Sequence, residues 1–137
     1  MTTDRVVLGI SGASGAAIAV SIAEQLGKIP SVELHLVVSD AAARTLRHEV
    51  GEDALPYLQS LSAHVYAAGD IGATIASGSF HVRGMIIAPC SMRTLAAVAC
   101  GLCDTLLTRA ADVHLSRGGG WCWWRARRPC ILATCAT

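Results

Sequence analysis

Aromatic side chains and formal charge are both scarce in this chain. Aromatic residues make up 4% and charged residues 15% of its 137 positions, and the net charge is +1 with neutral histidines. So balanced a surface gives no electrostatic argument for nucleic acid or an anionic membrane as partner. No apolar run reaches the roughly eighteen residues that a membrane-spanning helix requires. Met1 to Arg5 is not followed by the apolar stretch and cleavage site of a secretory leader. A cytoplasmic protein is therefore expected, with its six cysteines kept as thiols. Four-cysteine zinc spacing is absent. Cys100-Gly-Leu-Cys103 has redox spacing, but it ends a predicted helix, where the dipole does not favour a thiolate. Buried or half-buried thiols are expected instead.

What the chain does have is apolar and small residues. Hydrophobic residues make up 53%, and the length suits one domain that buries about two-thirds of its surface. Val6 to Ile10 reads as a strand buried on both faces. Ser11-Gly-Ala-Ser-Gly15 supplies small residues only, and Ile18, Ile22 and Leu26 then recur at helical spacing. Strand, glycine-rich turn and helix form a phosphate-binding layout, in which turn N–H groups and the helix N-terminus converge on an anion. Ser11 and Ser14 add hydroxyls. A dinucleotide fingerprint is not met, because Ser11 stands where the second glycine belongs. The acidic residue that an NAD site wants after the second strand is displaced to Asp40, behind Ser39. No Gly-Lys-Ser/Thr follows, which excludes an NTPase loop. A mononucleotide such as FMN fits better; a plain tightly packed turn is the bland alternative.

Further along, Glu33 to Ser39 reads as the second strand, with His35 filling space between elements. Ser39 or Asp40 caps a helix lined by Ala42, Leu46 and Val50, with Glu49 in its last turn. Ala54 to Ser62 is a helical piece interrupted by Pro56, and His64 to Ala67 a brief third strand. Asp70 to Phe80 is polar and small, with little burial to hold it. Gly84 to Pro89 is the clearest buried strand. Ser91 and Thr94 then open a helix, and Asp104 caps another over Thr105 to Asp112. Three strand ends rich in Gly, Ser and Thr thus fall at the carboxyl edge of one parallel sheet, the edge where open α/β folds bind ligands.

Five segments carry a family resemblance: Gly9–Ala16 (GISGASGA), Leu36–Ala42 (LVVSDAA), Ile75–Phe80 (IASGSF), Gly84–Ala96 (GMIIAPCSMRTLA) and Leu106–Val113 (LLTRAADV). Together they resemble the flavin prenyltransferase (UbiX-type) family, over Val6 to Val113. The resemblance implies a three-layer αβα, flavodoxin-like domain over residues 1–113 that binds FMN. It implies transfer of dimethylallyl from dimethylallyl monophosphate to the flavin, making prenylated FMN for a UbiD-type decarboxylase. No metal is implied, and a dodecamer with sites at subunit contacts is. By matching positions, Gly12, Ala13, Ser14 and Ser39 would touch the flavin, and Ser91, Met92, Arg93 and Thr94 would hold it from the next strand end. Glu49 matches an active-site carboxylate that assists proton movement, with Ser14 beside it.

After Val113 the family pattern stops, and residues 114–137 read as a poorly ordered tail without strand or helix period. Its basic, aromatic composition suggests stacking on nucleic acid, but the codons argue otherwise. Trp121-Cys-Trp-Trp124 is encoded TGG TGY TGG TGG, which one frame over reads Val-Leu-Val. The following residues can be reread as Arg-Glu-Thr-Pro-Leu-His, the family's own continuation. A frameshift near residues 112–114, followed by a premature stop, is the expectation, and the gene's nucleotide sequence tests it. On that expectation, no prenyl-phosphate role passes to Arg125, Arg127 or Arg128, and prenyl transfer would be weak or absent. Three alternatives stay open. One is a flavin-dependent decarboxylase using His81 or His64 as base, another is a non-catalytic FMN-binding subunit, and the third is a degenerate gene product with no stable fold, against which a cooperative melt would argue.

Overall fold

The computed structural model describes residues 3–117 in full, and of the remainder the backbone of residues 120–125 and 128–132. The elements in order are β1 (Asp4–Ile10), α1 (Ala16–Gly27), β2 (Val32–Val38), α2 (Asp40–Glu49), α3 (Ala54–Leu61) and β3 (His64–Tyr66). A single 3-10 turn (Thr74–Ala76) leads to β4 (Gly84–Ile87), α4 (Met92–Ala99), α5 (Leu106–Ser116), β5 (Gly120–Arg125) and β6 (Arg128–Leu132). The sheet order is β3-β2-β1-β4-β5-β6. Strands β1 to β5 run parallel, and β6 returns antiparallel to β5. The chain builds outward from β1 through β2 to β3, then crosses back to place β4 on the other side of β1. That reversal opens a crevice beyond the carboxyl ends of β1 and β4.

Strand alternation sorts the core into two layers. Leu8 and Ile10 of β1, with Leu34 and Leu36 of β2, pack under Ala16, Ala19, Ala23, Leu46 and Leu58 of α1, α2 and α3. Val7, Val37, Met85 and Ile87 face the other way, toward Val98 of α4 and Leu106, Leu107, Ala110 and Ala111 of α5. Helices on both faces of the sheet make the expected three-layer αβα arrangement. The alanine stripe of α1 lets that helix sit close to the sheet. Gly9 does the same opposite it, since a Cβ there would collide with Leu107 Cδ1.

Several sequence expectations need correction. Pro56 does not interrupt α3: it is the third residue of an unbroken helix, within the first turn, where its missing N–H is not needed. The segment from Asp70 to Phe80 is not loosely held, because Ala73, Ile75 and Ala76 are buried in the α5-side core. Thr105, not Asp104, caps α5, and that helix runs on through Ser116. Cys100 is exposed and Cys103 half-buried, while Cys90 is buried. The reading of residues 114–137 as free of regular structure also changes. The backbone of 120–125 joins the sheet beside β4, with Ile86 opposite Cys122, and 128–132 pairs with it. Aromatic runs suit a pleated strand. The expectations about this segment's side chains, and about residues 133–137, fall outside the described residues. Among the described residues, no helix is long and apolar enough to cross a membrane.

Candidate functional site

Ser11 joins the ends of the two central strands. Its hydroxyl donates to the Pro89 carbonyl at 2.6 Å and accepts from the Ser91 N–H at 2.7 Å. The residue is buried, so both bonds are desolvated and lock the β1 and β4 ends together. Ser39, whose N–H donates to Ile10 O at 3.1 Å, ties in the end of β2. Its hydroxyl caps α2 by accepting from Ala42 N–H at 3.1 Å. Ser91 caps α4 by accepting from Thr94 N–H at 3.1 Å and donates to Thr94 Oγ1 at 2.9 Å. Thr105 and Thr108 form a reciprocal capping box at the start of α5, the S/T-type pattern that satisfies two otherwise unpaired donors.

These three helix starts open onto one cleft of about 570 Å³ at the carboxyl edge of the sheet, a volume typical of small-molecule sites. Gly12, Ser39, Ser91, Arg93 and Thr94 line it together with Ser11, so five of the nine residues expected at a site meet there. Three converging helix N-termini contribute partial positive charge. Arg44 and Arg93 add two cations and Asp40 and Asp104 two anions; Arg93 is paired with Asp104 at 3.3 Å through largely exposed side chains. Arg44, Thr105 and Thr108 were missed from sequence. The Thr-x-x-Thr capping spacing was a legible signal for the threonines; Arg44 had none, being one polar residue among several on α2.

Ala13, Ser14 and Met92 do not line the cleft, and neither does Glu49. Met92 is 60% exposed at the start of α4. The glycine turn departs from its expected form. Gly15 takes a left-handed φ of 103° as the cap residue of α1, with no side-chain cap bond. The anion at this helix N-terminus is supplied by the chain itself: Glu49 accepts from Gly15 N–H and Ala16 N–H, both at 3.0 Å. The Ala16 and Gly15 bonds, with a lesser one from the Ser14 hydroxyl, hold the Glu49 carboxyl below its ordinary range. The last residue of α2 is thereby clamped to the first turn of α1, and the two residues expected to be catalytic, Glu49 and Ser14, are brought together.

The histidines considered as decarboxylase bases sit elsewhere. His81 lines a separate cavity of about 360 Å³ between the sheet and the C-terminal half of α5, and His64 lies on β3.

A parallel sheet whose strand order reverses at β1, with a hydroxyl-lined cleft at the switch point, defines a flavodoxin-like α/β protein. The chain belongs to the Flavoprotein family, whose model matches residues 1–134. It is 50% identical over 111 residues to the flavin prenyltransferase UbiX of Thauera aromatica, a match covering 81% of this chain and 56% of that protein. Among solved structures it superposes on a dodecameric FMN-dependent UbiX-like decarboxylase from Escherichia coli O157:H7 with TM-score 0.86 and 38% identity, covering 91% of this chain and 67% of that one. It superposes with TM-score 0.82 and 37% identity on AnUbiX (PadA1) in complex with FMN and dimethylallyl pyrophosphate, covering 87% and 62%. The chain thus spans a little over half the length of the Thauera relative.

Proposed function

We propose that this chain is the FMN-binding part of a flavin prenyltransferase, acting on dimethylallyl monophosphate and reduced FMN. The observation that carries the reading is the single cleft onto which Ser39, Ser91, Arg93 and Thr94 converge from different strand ends, in a chain about half identical to a named flavin prenyltransferase. The donor set suits FMN. Hydroxyls and helix N-termini suit a phosphate, and the Ala97 and Leu107 sides of the cleft offer apolar surface to a ring.

When bound, reduced FMN supplies the electron-rich ring atoms that receive the dimethylallyl group. The protein's part is to bind, orient and handle protons. Arg93, the helix caps Ser39 and Ser91, and Thr94 hold the flavin phosphate from the cleft wall. Glu49, kept ionised by two backbone N–H groups, is a proton acceptor beside Ser14. Gly12 lies at the cleft floor against α2, where a Cβ would come within 2.6 Å of Ala41 Cβ. Ala13 and Met92 are proposed flavin contacts at the rim. Assembly into a dodecamer and delivery of the product to a UbiD-type decarboxylase complete the reading.

Incubating the purified chain with dithionite-reduced FMN and dimethylallyl monophosphate, followed by mass analysis of the released flavin, tests it. Prenylated FMN supports the reading, and a weak yield is the expected result, because the family's prenyl-phosphate segment after Val113 has no counterpart in this sequence. Bound but unmodified FMN would reduce the reading to a flavin-binding subunit, and released carbon dioxide from a carboxylate substrate would favour a decarboxylase.

A further inference from the structure

The outer edge of the sheet carries a cluster of side chains that the cleft does not use. Glu33 and His35 are two apart on β2 and share a face. His64 on β3 is the register partner of His35. Backbone pairing therefore places all three residues on one face of the sheet, side by side. His35 Nε2 lies 2.8 Å and His64 Nε2 3.5 Å from Glu33 Oε1, and the three ligand atoms lie within 4.8 Å of one another. Tetrahedral coordination at metal–donor distances of about 2.0–2.2 Å spaces its donors about 3.3–3.6 Å apart, which these separations reach by a turn of the exposed His64 ring.

The geometry points to a divalent-cation site of the zinc class held by Glu33, His35 and His64. Two imidazoles and one carboxylate match the ligand set of open zinc sites, with water in the fourth position. His35 is buried and its Nδ1 meets Tyr66 Oη at 2.8 Å, which in turn meets Thr74 Oγ1 at 3.1 Å. When Nε2 ligates, Nδ1 carries the proton and donates to Tyr66, whose hydroxyl donates to Thr74. The buried Nδ1 thus keeps its partner, and the ring is held in place from behind. His64 supplies the entrance. Its ring stacks on His35 with centroids 4.7 Å apart, but its side chain is 56% exposed, so it can turn its nitrogen inward. Arg5 is the opposing feature, with Nε 3.8 Å from Glu33 Oε1; it competes with a metal for the carboxylate.

Titration of the full-length chain with Zn2+ and Co2+, with its thiols kept reduced, tests this without reference to any enzymatic activity. One equivalent should bind. The Co2+ form should show visible d–d bands without the near-ultraviolet charge-transfer absorption of thiolate ligation. His64→Ala and His64→Gln, changes at an exposed position, should each weaken binding at least about tenfold, and Arg5→Gln should tighten it. Absence of binding, a thiolate charge-transfer band for the bound equivalent, or affinity unchanged in both His64 variants would overturn the assignment.

Discussion

Two carboxylate contacts show how single residues set the acid stability of this protein. Glu49 is held as an anion by the Ala16 and Gly15 N–H groups, so its folded pKa lies below the ordinary 4.5. A depressed carboxylate stabilises the fold fully above pH 4.5 and loses that contribution as pH falls through the folded value. Melting temperatures of wild type and Glu49→Gln should therefore differ near neutral pH and converge as the pH falls below the ordinary carboxylate range. His35 works in another window. Burial lowers its pKa, opposed by its hydrogen bond to Glu33. The unfolded chain takes up a proton near 6.5 that folded His35 refuses, so stability is full above pH 6.5 and declines below it. His35→Gln should flatten that part of the melting profile. Tyr66→Phe leaves buried His35 Nδ1 without its 2.8 Å partner, and should cost about 1–3 kcal/mol in denaturant unfolding.

At the scale of elements, α5 is seated by one absent side chain and one cap. Gly9 on β1 faces Leu107, and an added Cβ would collide with Leu107 Cδ1. Gly9→Ala should push α5 outward at a cost of about 1–3 kcal/mol. Because α5 opens onto the cleft, this variant should also lose flavin affinity, measured by quenching of FMN fluorescence. Thr105→Ala removes the hydroxyl that accepts from Thr108 N–H at 3.3 Å and should cost about 1 kcal/mol. These elements also show which local signals could be read in advance. Ser39 and Ser91 as caps, and the buried strands β1, β2 and β4, followed from residue type and spacing. Pro56 misled because a proline breaks a helix only beyond its first turn. Ile75 misled because one apolar residue among small polar ones gives no period, yet it finds the α5-side core.

At the scale of the molecule, the order β3-β2-β1-β4 puts every strand end used by the cleft at one edge. A ligand bound there touches α2, α4 and α5 at once, so it should stabilise the fold as a unit. Reduced or oxidised FMN at a hundred times its dissociation constant should add about 2.7 kcal/mol to unfolding stability, readable as a rise in melting temperature that scales with FMN concentration. A flat response over that range would show that the cleft does not take the flavin.

The order of strands and helices as far as α5, the small hydroxyl-bearing strand ends and the family resemblance were present in the linear chain, because burial periodicity and capping are local properties. The partners of those residues were not. That Ser11 spends its hydroxyl on Pro89 and Ser91, that Glu49 fills the helix N-terminus left open by the glycine turn, and that His64 lands beside His35 all depend on long-range pairing. Each joins residues 29 to 80 positions apart, a distance over which neither propensity nor periodicity carries information, and only the packed sheet brings them within reach.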